Sequence, residues 1–190
     1  MQELTLYIPF GSSCTIAYQL EKHKLRKSSY PFDWILSDEK AIYNILNNEF
    51  KNFIDQEYLQ VKNTSHNFPI IDESWNNDKK NTIRVFHKLY KIHFLHDFRN
   101  IDDIDIVREK YNRRIKRFLD CMRNQNLKKI VVHIGNNFDR QKFHELFIKL
   151  NFKNYEIKNI SYTEIGYTSD WMMNEFNWKQ YFNSINCGKF

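Results

Sequence analysis

The chain is poor in the residues that break, bend or staple a backbone. It has only four glycines, three prolines and three cysteines in 190 residues. That scarcity excludes a collagen-like or linker-rich chain, and it argues against a dinucleotide crevice or a phosphate-binding P-loop. Neither G-x-G-x-x-G nor G-x-x-x-x-G-K-[ST] occurs. Cys14, Cys121 and Cys187 are odd in number, widely spaced and without a C-x-x-C pair, which excludes a zinc ribbon or a thioredoxin motif. No H-E-x-x-H or similar spacing is present, so no metal and no cofactor are expected. No apolar run approaches the ~18 residues of a membrane span, and the N-terminus has no signal-like region. These absences predict a cytoplasmic protein with reduced thiols and no membrane contact.

What the chain does have is apolar and aromatic mass. Apolar residues make up 42% and aromatics 16%, with 16 Phe and 11 Tyr, which excludes disorder. The length suits one domain over 1–190, and no repeat, low-complexity tract or linker divides it. Basic residues outnumber acidic ones 29 to 23, for a net charge of +6. An anionic partner is permitted, but no block of five like charges calls for one, and nucleic acid is not expected.

Residues 3–10 read as a short strand, Gly11-Ser12-Ser13 as a turn, and Cys14 to about Lys24 as a helix with Ser12 or Ser13 as N-cap. Asp38 caps a second helix. Residues 55–82 are polar and read as a loop with short strands. Ile83 to Phe94 alternates as strands. Asp102 or Asp103 opens a long helix to about Asn124, with Ile104, Val107, Tyr111, Ile115, Phe118, Leu119 and Met122 at the 3.6-residue period. Lys129 to Ile134 is a buried strand, followed by a helix to Leu150 and a strand over 155–160. That β-α-β unit predicts a parallel pair. A last helix is expected from near Ser169 or Asp170, with Trp171 and Trp178 packed on one face. The fold class is α/β, a three-layer domain with a mostly parallel sheet flanked by helices.

Four places could carry chemistry. Cys14 lies in the first helical turn after a strand, where unpaired amides and the helix dipole favour an anion. That setting lowers a thiol pKa and offers N–H groups to an oxyanion, with Ser12 and Ser13 in the same turn; the bland alternative is a small buried residue. His96, in Phe94-Leu-His-Asp-Phe98, could be the base a cysteine needs, or a solvated strand-end histidine. Asp97 and Asp33 compete to orient it. Asp97 is a strand neighbour pointing to the opposite face unless the backbone turns there. Asp33, between two aromatics after Pro31, could instead tie a tight turn. Arg114 and Arg117, three apart on the long helix, could hold an anion or simply face solvent. His133 reads as a satisfied core histidine, and Cys121 and Cys187 as inert.

Taken together, these segments resemble a known family. They are Phe10-Gly-Ser-Ser-Cys-Thr-Ile-Ala-Tyr-Gln-Leu20, Leu25-Arg-Lys-Ser-Ser-Tyr-Pro-Phe-Asp-Trp-Ile35, Phe94-Leu-His-Asp-Phe98, Lys110-Tyr-Asn-Arg-Arg-Ile-Lys-Arg-Phe118, the strand at 129–134, and Trp171 with Trp178. Their order and spacing are similar to a papain-like cysteine peptidase family, a domain of unknown function in bacteria and large DNA viruses. The resemblance implies Cys14 as nucleophile, His96 as base, and Asp97 or Asp33 in the third role. It also implies a peptide or other acyl substrate. One departure is His133-Ile-Gly-Asn-Asn, where relatives tend to carry an arginine. The family name suggests a papain-like α+β arrangement as the alternative fold. Two other functions compete with a thiol hydrolase. One is a transferase-like or binding module that holds a phosphate or sugar nucleotide at the Gly11–Cys14 turn with Arg114 and Arg117. The other is a catalytically dead interaction protein.

Overall fold

A computed structural model describes residues 5–66, 82–166 and 170–186. The centre of the polar stretch at 55–82, Ser169 and Cys187 lie outside the described residues. In chain order the elements are β1 (Thr5–Pro9), α1 (Thr15–Lys22), β2 (Ile35–Leu36), α2 (Glu39–Asn47), β3 (Leu59–His66), β4 (Thr82–His87), β5 (Ile92–Phe98), α3 (Ile104–Arg123), β6 (Lys128–Ile134), α4 (Arg140–Lys149), β7 (Tyr155–Ile160), α5 (Tyr162–Ile165) and α6 (Trp178–Asn186).

The strands form two sheets. β1, β6 and β7 make a parallel sheet in the order β1-β6-β7. Thr5 stands opposite Lys128, and Ile134 opposite Ile160. β6 is central and buried on both faces, which explains its unbroken apolar run. On one face Ile130, Val132 and Ile134 pack against Ile16 and Leu20 of α1 and Trp178, Phe182 and Ile185 of α6. The other face meets the main core, where Phe10 packs edge-to-face on Phe32, Phe143 and Phe147 with centroids 5.3 to 5.7 Å apart. The remaining strands make a separate antiparallel sheet in the order β2-β5-β4-β3. The α/β class therefore holds, with its parallel part confined to three strands.

Local signals set the helix starts. Asp38 accepts from the Ala41 amide at 2.7 Å to open α2, and Asp139 accepts from the Lys142 amide at 3.0 Å to open α4. Asn100 and Asp103 cap each other reciprocally and lead the chain into α3. Two expectations are corrected. The N-cap of α1 is Cys14 itself, with no side-chain capping bond, and Ser13 Oγ accepts from the Thr15 amide at 3.4 Å. The last helix begins at Trp178, because Asp170 accepts from the amides of Met172 and Asn174 and folds that stretch as a turn. Trp171 consequently stands outside the helix and is 49% exposed, while Trp178 is buried. Among the described residues, no helix is long and apolar enough to cross a membrane.

β5 has an irregularity that matters below. Val85 pairs with Phe94 and Ile83 with Phe98. Leu95, His96 and Asp97 therefore stand opposite Arg84 alone, in a bulge that frees them from strict alternation. All three are buried.

Candidate active site

Cys14 is placed by a tight reversal at the carboxyl end of β1. Gly11 and Ser12 both have left-handed backbone, with φ of 70° and 64°. Gly11 is needed twice over. A side chain would be strained at that φ, and a Cβ would lie 2.1 Å from Ile42 Cδ1 and 2.7 Å from Ser37 Oγ. Gly11→Ala is expected to cost about 2 kcal/mol or more, adding backbone strain to overpacking. Urea denaturation checks this, and a loss below about 0.5 kcal/mol would contradict the reading.

The turn is also fastened from outside. The Ser12 carbonyl accepts from the Ser37 amide at 3.3 Å, and the Ser12 hydroxyl from Tyr162 at 3.4 Å. Ser13 Oγ lies 2.8 Å from Thr15 Oγ1, which donates to the Trp171 carbonyl at 2.6 Å. Gln19 donates to the Met172 carbonyl. The segment around Trp171 thus straps the start of α1, a role for this tryptophan that its expected core packing did not include.

The thiol is 5% exposed and sits in a small cluster with Ala17 and Trp34. Burial pushes its pKa up to about 12, and the negative fields of Asp97 and Asp33 add to the rise. Its own amide pulls the other way, with smaller effect. The lowered thiol pKa expected at a helix start is therefore overturned, since desolvation and two nearby carboxylates outweigh the helix terminus.

His96 comes from the other sheet, on the β5 bulge, and is 6% exposed. Its ring packs edge-on against Trp34, with centroids 5.8 Å apart and planes at 71°. Trp34 is thus the neighbour that Cys14's cluster and His96 have in common.

Both acids have strong partners of their own. Asp33 is fully buried; its Oδ2 accepts from Arg26 Nε at 3.1 Å, from Arg26 Nη2 at 2.5 Å and from the Tyr30 amide at 2.9 Å. Burial raises its carboxyl above the usual range, and Arg26 and the Tyr30 amide oppose that rise. Asp97 Oδ1 pairs with Lys110 Nζ at 2.8 Å, and Oδ2 accepts from the Tyr111 hydroxyl at 3.1 Å. Burial alone would raise its pKa, but Lys110 and Arg114 more than reverse this and hold it below the usual range. His96 and Asp97 also interact by charge.

The arginines separate. Arg114 is fully buried and lies over the Tyr111 ring at 5.5 Å, in the fields of Asp33 and Asp97. Neither a solvated face nor an open anion site describes it. Arg117 is half-buried and donates to the Ser29 carbonyl at 2.8 Å. Sequence reasoning passed over Arg26, Lys110 and Tyr111. Lys110 and Arg114 fall on the same helical stripe as Val107, Tyr111 and Phe118, and a charge at such a period is a usable signal. Cys121 is buried beside the Tyr30 hydroxyl at 3.9 Å. His133 is not fully satisfied. It meets Asn159 Oδ1 at 2.8 Å through Nδ1, while its buried Nε2 has no hydrogen-bond partner among the described residues. Among the described residues, no group of three or more His, Cys, Asp or Glu side chains could hold a metal ion.

The chain is 34% identical over 126 residues to "Uncharacterized protein R408" of Acanthamoeba polyphaga mimivirus, covering 62% of this chain and 56% of that relative. It thus spans little more than half the length of the viral protein. No solved structure matches the chain. The profile of the family described as "Putative papain-like cysteine peptidase (DUF1796)" matches residues 5–163, a span that includes Cys14, Trp34, His96 and the α3 charges. The chain belongs to that family.

Proposed function

We propose that the protein is a thiol hydrolase of the cysteine-peptidase type, with Cys14 as nucleophile and His96 as base. The observation that carries this reading is the contact that both residues share with Trp34. Cys14, at the start of α1, clusters with Trp34, and His96, on a strand bulge, packs edge-on against the same indole. The high thiol pKa shapes the mechanism. Cys14 stores no standing thiolate, so its proton passes to His96 as sulfur attacks the acyl carbon. Asp97, charged and adjacent, stabilises the imidazolium as it forms. Amides at the start of α1 face the developing oxyanion. The leaving group takes the proton from His96, and water then releases the acyl group. An amide, isopeptide, ester or thioester would serve as substrate.

The competing phosphate or sugar-nucleotide site is disfavoured by charge. The thiol at the Gly11–Cys14 turn already lies in the negative fields of Asp97 and Asp33. Neither arginine expected to help is presented there. Arg114 is buried over Tyr111 and Arg117 is tied to Ser29.

The test is acyl transfer from 4-nitrophenyl acetate. The expected result is one acetyl group per chain, located on Cys14 by peptide mapping and lost in Cys14→Ala. Acetylation confined to other residues, or a Cys14→Ala burst equal to wild type, would overturn the proposal.

A further inference from the structure

We infer that Trp34 is a further catalytic residue, whose indole N–H donates to the acyl oxygen as Cys14 attacks. This inference rests on the thiol hydrolase reading. Trp34 is 2% exposed, and its Nε1–H is buried without a hydrogen-bond partner among the described residues. Tryptophan nitrogen can only donate, and a buried unmet donor costs about 1–3 kcal/mol. Here the unmet donor belongs to the side chain that packs in the Cys14 cluster and edge-on to His96. An acceptor that arrives only with substrate resolves the anomaly, and the oxygen of an acyl group is such an acceptor.

The surroundings of the ring fit this role. The Arg26 guanidinium lies over the Trp34 ring at 5.4 Å. A cation on the indole face draws electron density from the ring and makes its N–H a stronger donor. Arg26 is itself held by both Asp33 and Glu21. The groups that face the indole are therefore Arg26, paired with Asp33, and the ring of His96, the chain neighbour of Asp97 on β5. Asp33 acquires a function it lacked as a candidate orienter of His96, because it fixes the cation that polarises Trp34. The substrate class narrows accordingly. A planar acyl group with a free carbonyl oxygen fits, whereas an alkylating agent without a developing oxyanion gains nothing from the indole.

The experiment compares two reactions of the same sulfur. Acetylation by 4-nitrophenyl acetate develops charge on the acyl oxygen: the S–C bond forms, the bond to 4-nitrophenolate breaks, and the thiol proton leaves through His96. Alkylation by iodoacetamide displaces iodide at a saturated carbon and needs no oxyanion donor. Trp34→Phe keeps an aromatic ring and removes the N–H. It is expected to slow Cys14 acetylation about 10²- to 10³-fold, the effect of losing one oxyanion donor. Cys14 alkylation, read by peptide mapping, is expected to change less than about threefold. Replacing Trp34 with benzothienylalanine, which swaps N–H for sulfur at nearly constant shape, is expected to give the same split and excludes misfolding as its cause. Equal acetylation in wild type and benzothienylalanine protein would overturn the proposal, as would parallel loss of both reactions in the two variants. Failure of wild-type Cys14 to acetylate at all sinks the hydrolase reading instead, so the two failures are distinguishable.

Discussion

His96→Ala is expected to slow acetylation of Cys14 by 4-nitrophenyl acetate about 10²- to 10⁴-fold at pH 7, the range for a lost general base. The size follows from the thiol. With a pKa near 12, Cys14 is almost wholly protonated, so attack requires a group that takes the proton during the step. The deficit should narrow as pH rises, because hydroxide increasingly supplies the thiolate without help from His96. A flat deficit across pH would point to lost packing against Trp34 rather than lost proton transfer. An alanine variant with the wild-type rate at pH 7 would remove His96 from the mechanism. His96→Gln, which is polar but cannot act as base, should behave like alanine while keeping more of the local packing.

The second large effect is on stability. Lys110→Met is expected to cost about 3–5 kcal/mol at pH 7, measured by urea denaturation, because it strands the buried Asp97 carboxylate. The pH dependence has a definite sign. Asp97 is held below the usual carboxylate range in the folded protein, against the pull of burial. A group with a depressed folded pKa contributes stability above its unfolded value of ~3.9 and loses it as pH falls through the folded value. The gap between wild type and Lys110→Met should therefore be widest near neutrality and shrink in acid, once Asp97 is protonated in both. Lys110→Met combined with Asp97→Asn should recover part of the loss at pH 7. A penalty under about 1 kcal/mol in the single variant would contradict the ion pair's role.

Much of this arrangement was legible in the sequence, and the exceptions have physical causes. β6 and α3 announce themselves because burial repeats along the chain, as a continuous run in one and a 3.6-residue period in the other. Asp38 is readable because its capping bond is local. The α/β class follows from the unit at 128–160, which needs no distant information. The second sheet is harder. Its strands pair antiparallel in the order β2-β5-β4-β3, and the edge strand β2 has two residues and carries no periodicity. The bulge at Leu95 to Asp97 is a matter of pairing register, which depends on the partner strand rather than on β5 alone. At the site, the identity of Cys14 and His96 as candidates came from residue type and position. Their environment did not. The helix start suggested an acidic thiol, but the acids that oppose this lie 19 and 83 residues further along the chain. Trp171 misled for a related reason, since its spacing from Trp178 matched a helix that Asp170 prevents.

The strand that leads into the Cys14 turn has a consequence for biosynthesis. β1 pairs with β6 and with no other strand of the parallel sheet, across more than a hundred residues of chain. A ribosome must therefore synthesise both His96 and the whole of α3 before β1 has its strand partner. Until Lys128 to Val132 emerge, the Gly11–Cys14 reversal has no β6 edge to rest on. A truncated product ending before β6 is therefore expected to lack the Cys14 environment described above. Closure of so distant a parallel pair is slow by its topology, which makes this contact the natural last step in maturation of the site.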